Sequence, residues 1–122
     1  MDIAIDFDGT CVTHEYPHTG KDIGAQKVLK ELLHKGHNLI LFTMRSGIGL
    51  NNALIWFAEN DIPLHGIQYN PNQTSWTSSN KCYAQLYIDD AALGCPLKYP
   101  EKGRPYVDWI QVEEMLVNKG IL

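Results

Sequence analysis

Two carboxylates stand one residue apart near the beginning of the chain, in the stretch IAIDFDGT at residues 3–10. Asp6 and Asp8 follow an apolar run, and like charges this close repel one another unless a cation or a proton offsets the repulsion. An ordinary turn containing two aspartates would explain the pair equally well if nothing else in the chain matched it. The question is therefore which other polar groups the fold brings to the same place.

The elements that would position these carboxylates can be predicted from the spacing of apolar residues. Strands are predicted over residues 2–7, 37–43, 64–69 and 84–88, with a short fifth at 105–107. Helices are predicted from Ala25 to a turn at Gly36, from a cap at Ser46 to about Asn60, and from a capping box of Asp108 with Gln111 to Gly120. Strands and helices thus alternate along most of the chain.

This alternation predicts an α/β protein with a mostly parallel, doubly wound, Rossmann-like sheet and helices on both faces, a three-layer α/β/α sandwich. In such sheets ligands bind beyond the carboxyl ends of the strands. The predicted strand ends carry polar residues, namely Asp6 and Asp8, Thr43 (followed by Met44), and Asp89 and Asp90, with Lys81 just before the fourth strand. Four acids at one edge require a hard cation, and oxygen ligands favour Mg²⁺.

The chemistry that fits these groups is phosphoryl transfer through a phosphorylated carboxylate. One carboxylate attacks phosphorus, and a second protonates the leaving oxygen and later deprotonates the attacking water. A hydroxyl and an ammonium hold the phosphoryl oxygens. Gly9 lets the backbone come close to the phosphate, and Met44, beside Thr43, is the other neighbouring residue predicted to contact it.

The sequence resembles the haloacid dehalogenase-like (HAD) superfamily in four motifs that occur in the family's order. These are DFDGT, the apolar strand ending in Thr43, Lys81, and YIDD, so the resemblance extends from Asp6 to Asp90. It implies a HAD-type fold and a Mg²⁺-dependent phosphatase. The roles it implies are a nucleophile (Asp6), a general acid/base that also ligates Mg²⁺ through its backbone carbonyl (Asp8), phosphate-binding residues (Thr43, Lys81) and further metal-binding residues (Asp89, Asp90).

The spacing of the motifs leaves no room for a cap domain. Residues 11–42 and residues 44–80 separate successive motifs, which is enough for crossover units and little more. We therefore expect a single domain over residues 1–122, with residues 10–20 as a short flap near the active site. An open site would admit bulky substrates, or a second copy of the chain would shield it from water.

Composition limits the classes of function. The formal net charge of −4 disfavours broad nucleic-acid binding, and no apolar run is long enough to span a bilayer. An acidic start, MDIAIDFDG, disfavours export, and three cysteines make no even disulfide framework, so a cytoplasmic enzyme is expected. The expected substrate is a small phosphorylated metabolite, with a nucleotide, a nucleic-acid end and a phosphoprotein as alternatives.

Several other interpretations remain open at this stage. A phosphate-accepting receiver-like module also combines acids, threonine and lysine, and a non-catalytic binding protein could retain the same fold. Cys11, His14 and His18 have a spacing that superficially suggests zinc. Arg45 is either a contact for an anionic part of the substrate or a member of a surface ion pair. Trp76, and the flap residues His14, Tyr16 and His18, are candidates for substrate contact.

Overall fold

The computed structural model describes residues 1–122 and contains six strands and three helices. In chain order they are β1 (Asp2–Ile5), α1 (Ala25–His34), β2 (Asn38–Leu41), α2 (Gly47–Glu59), β3 (Gly66–Ile67), β4 (Leu86–Ile88), β5 (Leu97–Lys98), β6 (Tyr106–Val107) and α3 (Trp109–Asn118). The four main predicted strands are all present but shorter than predicted, because residues at one or both of their ends lie in loops outside the sheet.

The main sheet has four parallel strands in the order β3-β2-β1-β4. Ile5 is in register with Leu41 of β2 and Ile88 of β4, so the carboxyl ends of these three strands lie side by side. The chain is thus an α/β protein whose sheet is compatible with a Rossmann-like fold. This register places the loops after β1, β2 and β4 at one edge.

The helices follow the predicted apolar patterns closely. The apolar face of α1 is buried, and Gly36 turns the chain after it with a φ of 89°. Ser46 occupies the N-cap position of α2 as predicted, although its side chain makes no capping hydrogen bond. Asp108 caps α3 as predicted, since its side chain accepts hydrogen bonds from the backbone N–H groups of Ile110 and Gln111. None of the three helices combines the length and the apolar character that crossing a bilayer demands.

The two faces of the sheet are covered differently. All three helices contribute to one core cluster of 20 buried residues, which includes Ile3, Ile5 and Leu41. The alternate residues Ala4 and Ile40 form a small second cluster with Cys82. Residues 68–85, which cross from β3 to β4, contain turns and no helix. The predicted three-layer sandwich is therefore not confirmed.

The short fifth strand exists, but it does not extend the main sheet. β6 pairs antiparallel with β5, which was not predicted, and the two form a separate hairpin. The Val107 N–H donates to the Gly9 carbonyl (2.9 Å), and Trp109 Nε1 donates to the Thr10 carbonyl (2.6 Å). The C-terminal part of the chain thus supports the loop that follows β1.

Candidate active site

A cavity of about 420 Å³ opens at the carboxyl edge of the sheet. The loops after β1, β2 and β4, the flap and the β5–β6 hairpin all contribute to its wall. Its lining residues are Asp6, Asp8, His14, Tyr16, Thr43, Met44, Arg45, Asp89, Asp90, Ala91 and Arg104. All six residues predicted from the strand ends therefore line this cavity, together with residues of the flap and of the loop between β5 and β6.

Three of the predicted acids form a compact cluster. Carboxylate oxygens of Asp6, Asp89 and Asp90 all lie within 4.8 Å of one another. The backbone brings them together, because the Asp6 N–H donates to the Ile88 carbonyl (3.0 Å) at the end of β4. Thr10, fully buried, donates its hydroxyl to Asp6 Oδ2 (2.9 Å), while the Asp90 N–H donates to the same hydroxyl oxygen (3.0 Å). Thr10 therefore fixes two of the three acids relative to each other.

Burial and mutual repulsion disfavour the ionised forms of the carboxyl groups in this cluster. Burial, together with the charge of Asp89, raises the pKa of Asp6 to about 8. Burial also raises the pKa of Asp89, and the neighbouring Asp90 carboxyl adds to the rise. Both shifts mean that the ionised carboxylates lack a nearby positive charge. A divalent cation among them would supply it.

The residues present fit a magnesium ion. Carboxylate oxygens are the ligands that this hard cation prefers, and Asp6, Asp89 and Asp90 would hold it. The backbone carbonyl of Asp8 accepts no hydrogen bond within the protein and remains free to act as a ligand. The side chain of Asp8 lies outside the cluster.

The Asp8 side chain is held by Arg45. Arg45 Nε donates to Asp8 Oδ2 and Arg45 Nη2 to Asp8 Oδ1, both at 2.8 Å, which is a bidentate ion pair. Arg45 is only 2% exposed, so the prediction of a surface ion pair is wrong about its location. Its partner is an acid of the site itself.

His14 of the flap closes over the start of the DFDGT loop. Its Nε2 lies 3.0 Å from Asp90 Oδ2. Gly9 has a φ of 76°, and a Cβ added there would lie 2.0 Å from His14 Nε2 and 2.6 Å from Asp90 Oδ2. The Gly9 N–H donates to the Val12 carbonyl (2.7 Å). Gly9 is therefore required for this close approach of His14, and its N–H is already bonded within the protein; the predicted contact of Gly9 with a phosphate stays a prediction.

Thr43 and Met44 lie in the cavity as predicted. The backbone of Thr43 is clamped by the Gln68 side chain, which accepts from its N–H (2.9 Å) and donates to its carbonyl (2.6 Å). The Thr43 hydroxyl accepts from the Arg45 N–H (3.1 Å), so its own proton stays free to be donated. Met44 is 98% exposed, and its N–H donates to no protein acceptor. Both can face a bound anion.

Lys81 was predicted to bind phosphate, but the structure does not bring it into the cavity. It is exposed, does not line the cavity and forms no ion pair. The basic residue that reaches the cavity without an ion pair is Arg104, from the loop between β5 and β6. The phosphate-binding role of Lys81 stays a prediction that no contact supports.

Of the remaining candidate residues, some line the cavity and others lie outside it. Cys11 is fully buried and its Sγ donates to the Asp6 carbonyl (3.3 Å), so it does not join His14 and His18 in a zinc ligand set. Trp76 packs edge-to-face on Tyr83, with ring centroids 5.2 Å apart, and lies outside the cavity. Tyr16 of the flap lines the cavity, whereas His18 contributes its backbone carbonyl to Arg45.

The fold and the site together define an α/β protein with an acidic cavity at the carboxyl edge of a parallel sheet. Neither a comparison with protein-family profiles nor one with curated proteins gives a match. Among solved structures, the chain is similar to a conserved protein of Bacteroides thetaiotaomicron, with 36% sequence identity and a TM-score of 0.79. The alignment covers 98% of this chain and 91% of the other. The chain belongs to the same family as that conserved protein.

Proposed function

We propose that the protein is a Mg²⁺-dependent phosphomonoester hydrolase that acts through an aspartyl-phosphate intermediate on Asp6. The observation that carries this proposal is the convergence of Asp6, Asp89 and Asp90 within 4.8 Å in a cavity that Asp8 also lines. A cluster of three acids without other functional groups nearby would indicate a cation-binding site and no more. The additional carboxyl of Asp8 and the hydroxyl of Thr43 are the groups that hydrolysis of a phosphate ester needs.

The chain's own residues account for both chemical steps. In the first, an oxygen of Asp6 bonds to phosphorus, and the bond from phosphorus to the ester oxygen breaks, while Asp8 gives that oxygen a proton. In the second, Asp8 takes a proton from water, and the resulting hydroxide displaces Asp6 from phosphorus and releases phosphate. Dividing the hydrolysis in this way lowers the barrier of each step.

The phosphoryl oxygens need donors, and three groups on the cavity wall can supply them. These are the hydroxyl of Thr43, the N–H of Met44 and the guanidinium of Arg104. Mg²⁺, when bound, offsets the repulsion between the carboxylate of Asp6 and the negative phosphate. Donors placed in a cavity in this way stabilise the charge that develops at phosphorus.

The same proposal includes a HAD-type core without a cap. The four-strand order, the acids after β1 and β4 and the threonine after β2 agree with the resemblance found in the sequence. Residues 68–85 take the place of a helical third layer. The limited volume of the cavity, about 420 Å³, favours a small phosphorylated metabolite as substrate. A second copy of the chain could instead cover the open side and shield the site from water.

Hydrolysis of p-nitrophenyl phosphate tests the proposal directly. We expect turnover in the presence of MgCl₂, loss of turnover with EDTA, and no turnover in Asp6→Asn, which keeps the shape of the side chain but removes the nucleophile. Asp8→Asn is expected to slow turnover by about 10²–10⁴-fold, the usual scale of acid–base assistance.

The alternatives give different results in the same experiment. A receiver-like module would be labelled once on Asp6 by acetyl phosphate, without turnover. A binding protein would be neither labelled nor active. Full activity of Asp6→Asn would contradict the proposed mechanism, and Asp61→Asn, an exposed aspartate in the turn after α2, serves as the matched control.

A further inference from the structure

The buried side chain of Arg45 contacts three separate parts of the chain. Besides its two hydrogen bonds to Asp8, Nη2 donates to the His18 carbonyl (2.7 Å) in the flap, and Nη1 donates to the Gly49 carbonyl (3.1 Å) in the first turn of α2. The guanidinium carbon lies 5.1 Å from the ring centroid of Phe7 and 5.1 Å from that of Tyr16. One side chain therefore joins the loop after β1, the flap and α2.

These contacts argue against a direct role in binding substrate. A guanidinium has five N–H donors, and a side chain that waits for a substrate anion needs several of them free. Nε, Nη1 and Nη2 of Arg45 all donate to protein acceptors, whereas each carboxyl oxygen of Asp8 accepts one hydrogen bond from Arg45 and keeps a second lone pair for the proton that it transfers. The charge of Arg45 is balanced by Asp8 and its side chain is buried, so few of its N–H donors remain free to bind a ligand.

We propose that Arg45 is a positioning residue that fixes the carboxyl group of Asp8 and ties it to the flap. This inference rests on the proposed function, since it concerns the residue that is assigned acid–base work there. A bidentate pair fixes the plane of a carboxylate as well as its position. The Asp8 side chain is itself part-exposed to the cavity, so without Arg45 little would prevent it from rotating.

The position of the flap follows from the same side chain. The ring of Tyr16 lies over the guanidinium and the carbonyl of His18 accepts from it, so the flap is anchored at two points to the group that holds Asp8. Tyr16 also lines the cavity. Arg45 thereby couples the placement of a cavity wall to the placement of the acid–base residue.

Steady-state kinetics with p-nitrophenyl phosphate and MgCl₂ test this inference. Arg45→Met is expected to lower kcat by about 10–100-fold, as is usual for residues that orient catalytic groups, and to leave KM within about threefold. Arg45→Lys retains the positive charge but cannot form two parallel hydrogen bonds to a carboxylate, and we expect an intermediate kcat. Asp108→Ala, which weakens the cap of α3 away from the cavity, controls for a loss of stability without a loss of kcat.

The decisive measurement is a double-mutant cycle with Asp8→Asn. If Arg45 acts through Asp8, replacing Arg45 in the Asp8→Asn background lowers kcat no further. A second, multiplicative loss would overturn the inference, as would full kcat in a folded Arg45→Met protein. If Arg45→Met fails to fold, Arg45→Lys takes its place in the cycle. A wild-type protein without phosphatase activity would instead contradict the proposed function itself.

Discussion

At the scale of single residues, the pairing of charges in the cavity decides which groups can meet a phosphate. Four carboxylates and two guanidinium groups line the cavity. Arg45 is matched by Asp8, and His14 lies against Asp90. Arg104 is exposed at the cavity and has no ion-pair partner. The group available for a substrate anion is therefore an arginine near the C-terminal end of the chain, not Lys81.

A comparison of Arg104→Ala with Lys81→Ala tests this assignment. We expect Arg104→Ala to raise KM for p-nitrophenyl phosphate by about tenfold, since one charge-assisted hydrogen bond is worth roughly 1.4 kcal/mol. Lys81→Ala is expected to leave KM and kcat within about twofold, because loss of an exposed unpaired charge rarely has a larger effect. Each variant removes one positive charge from an exposed side chain, so each controls for the other. The reverse result would restore Lys81 to the role that the resemblance implies.

The outcome at this scale shows what local sequence can and cannot predict. The grouping of Asp6, Asp89 and Asp90 could be predicted from sequence because each lies within two residues of the end of a strand, and the register of parallel strands brings strand ends together. The position of Lys81 depends on how residues 68–85 fold, and that segment has no apolar period to read. Arg104 depends on a hairpin whose first strand, β5, has two residues. The residues next to Lys81 and Arg104 in the sequence therefore do not predict where either side chain lies.

At the scale of secondary-structure elements, α3 shows how a cap contributes to stability. The Asp108 side chain accepts from two N–H groups of the first turn, and Gln111 Nε2 donates to Asp108 Oδ2 (2.8 Å). The hydrogen bond from Gln111 lowers the pKa of Asp108. The ionised cap is thus favoured by folding. Its contribution is present above the pKa that Asp108 has in the unfolded chain and is lost as pH falls through the folded value.

Removing this cap should destabilise the protein without changing catalysis. Asp108→Ala is expected to lower the free energy of unfolding by about 1 kcal/mol at pH 7, which is typical for an N-cap aspartate. The difference from wild type should shrink below about pH 4, where the unfolded chain's Asp108 becomes protonated. Urea denaturation followed by circular dichroism gives both values. Glu101→Ala, an exposed acid outside the helices, is the control, and a difference that grew towards low pH would contradict the capping argument.

The elements were predicted with uneven success, and the cause is physical. α1 and α3 carry apolar residues at helical spacing with a clear start or stop, and both were found near their observed bounds. The N-cap position of α2 was predicted from the residue type of Ser46, but residue type alone does not show whether the side chain bonds to the first turn, and here it does not. β5 and β6 hold each other in place, and a pairing between two such short segments cannot be read from either one alone.

At the scale of the whole molecule, the sheet carries a helical core on one face and an irregular crossover on the other. Phe42 and Tyr87 remain 37% and 39% exposed on the second face, with ring centroids 6.5 Å apart. Asp6 lies between these two environments, since it lines both the main cavity and a smaller one that includes Phe42 and Tyr87. Its carboxylate is therefore partly surrounded by apolar groups. The fold as a whole sets the electrostatic environment of the proposed nucleophile.

This environment predicts that Asp6 destabilises the metal-free protein. The pKa of Asp6 is about 8 in the folded chain, against an ordinary value of 3.8. As pH rises from 4 to 8, the unfolded chain loses the Asp6 proton while the folded chain keeps it, so the free energy of unfolding falls. Asp6→Asn removes this titration. The variant should be more stable than wild type by several kcal/mol at pH 8, since the pKa rises from 3.8 to about 8 and each pKa unit corresponds to about 1.4 kcal/mol, and the gain should vanish near pH 4.

Added magnesium should reverse the difference, because a cation among the three carboxylates favours the ionised form of Asp6. Thermal unfolding of the wild-type protein in EDTA and in MgCl₂, at pH 6 and pH 8, measures this effect. We expect the increase in Tm with MgCl₂ to be larger at pH 8, where less free energy is needed to remove the Asp6 proton, and to be small in Asp6→Asn. Asp61→Asn should behave like wild type. An increase in Tm that is equal at both pH values, or unchanged in Asp6→Asn, would place the bound ion away from Asp6, and the geometry proposed for catalysis would then fail.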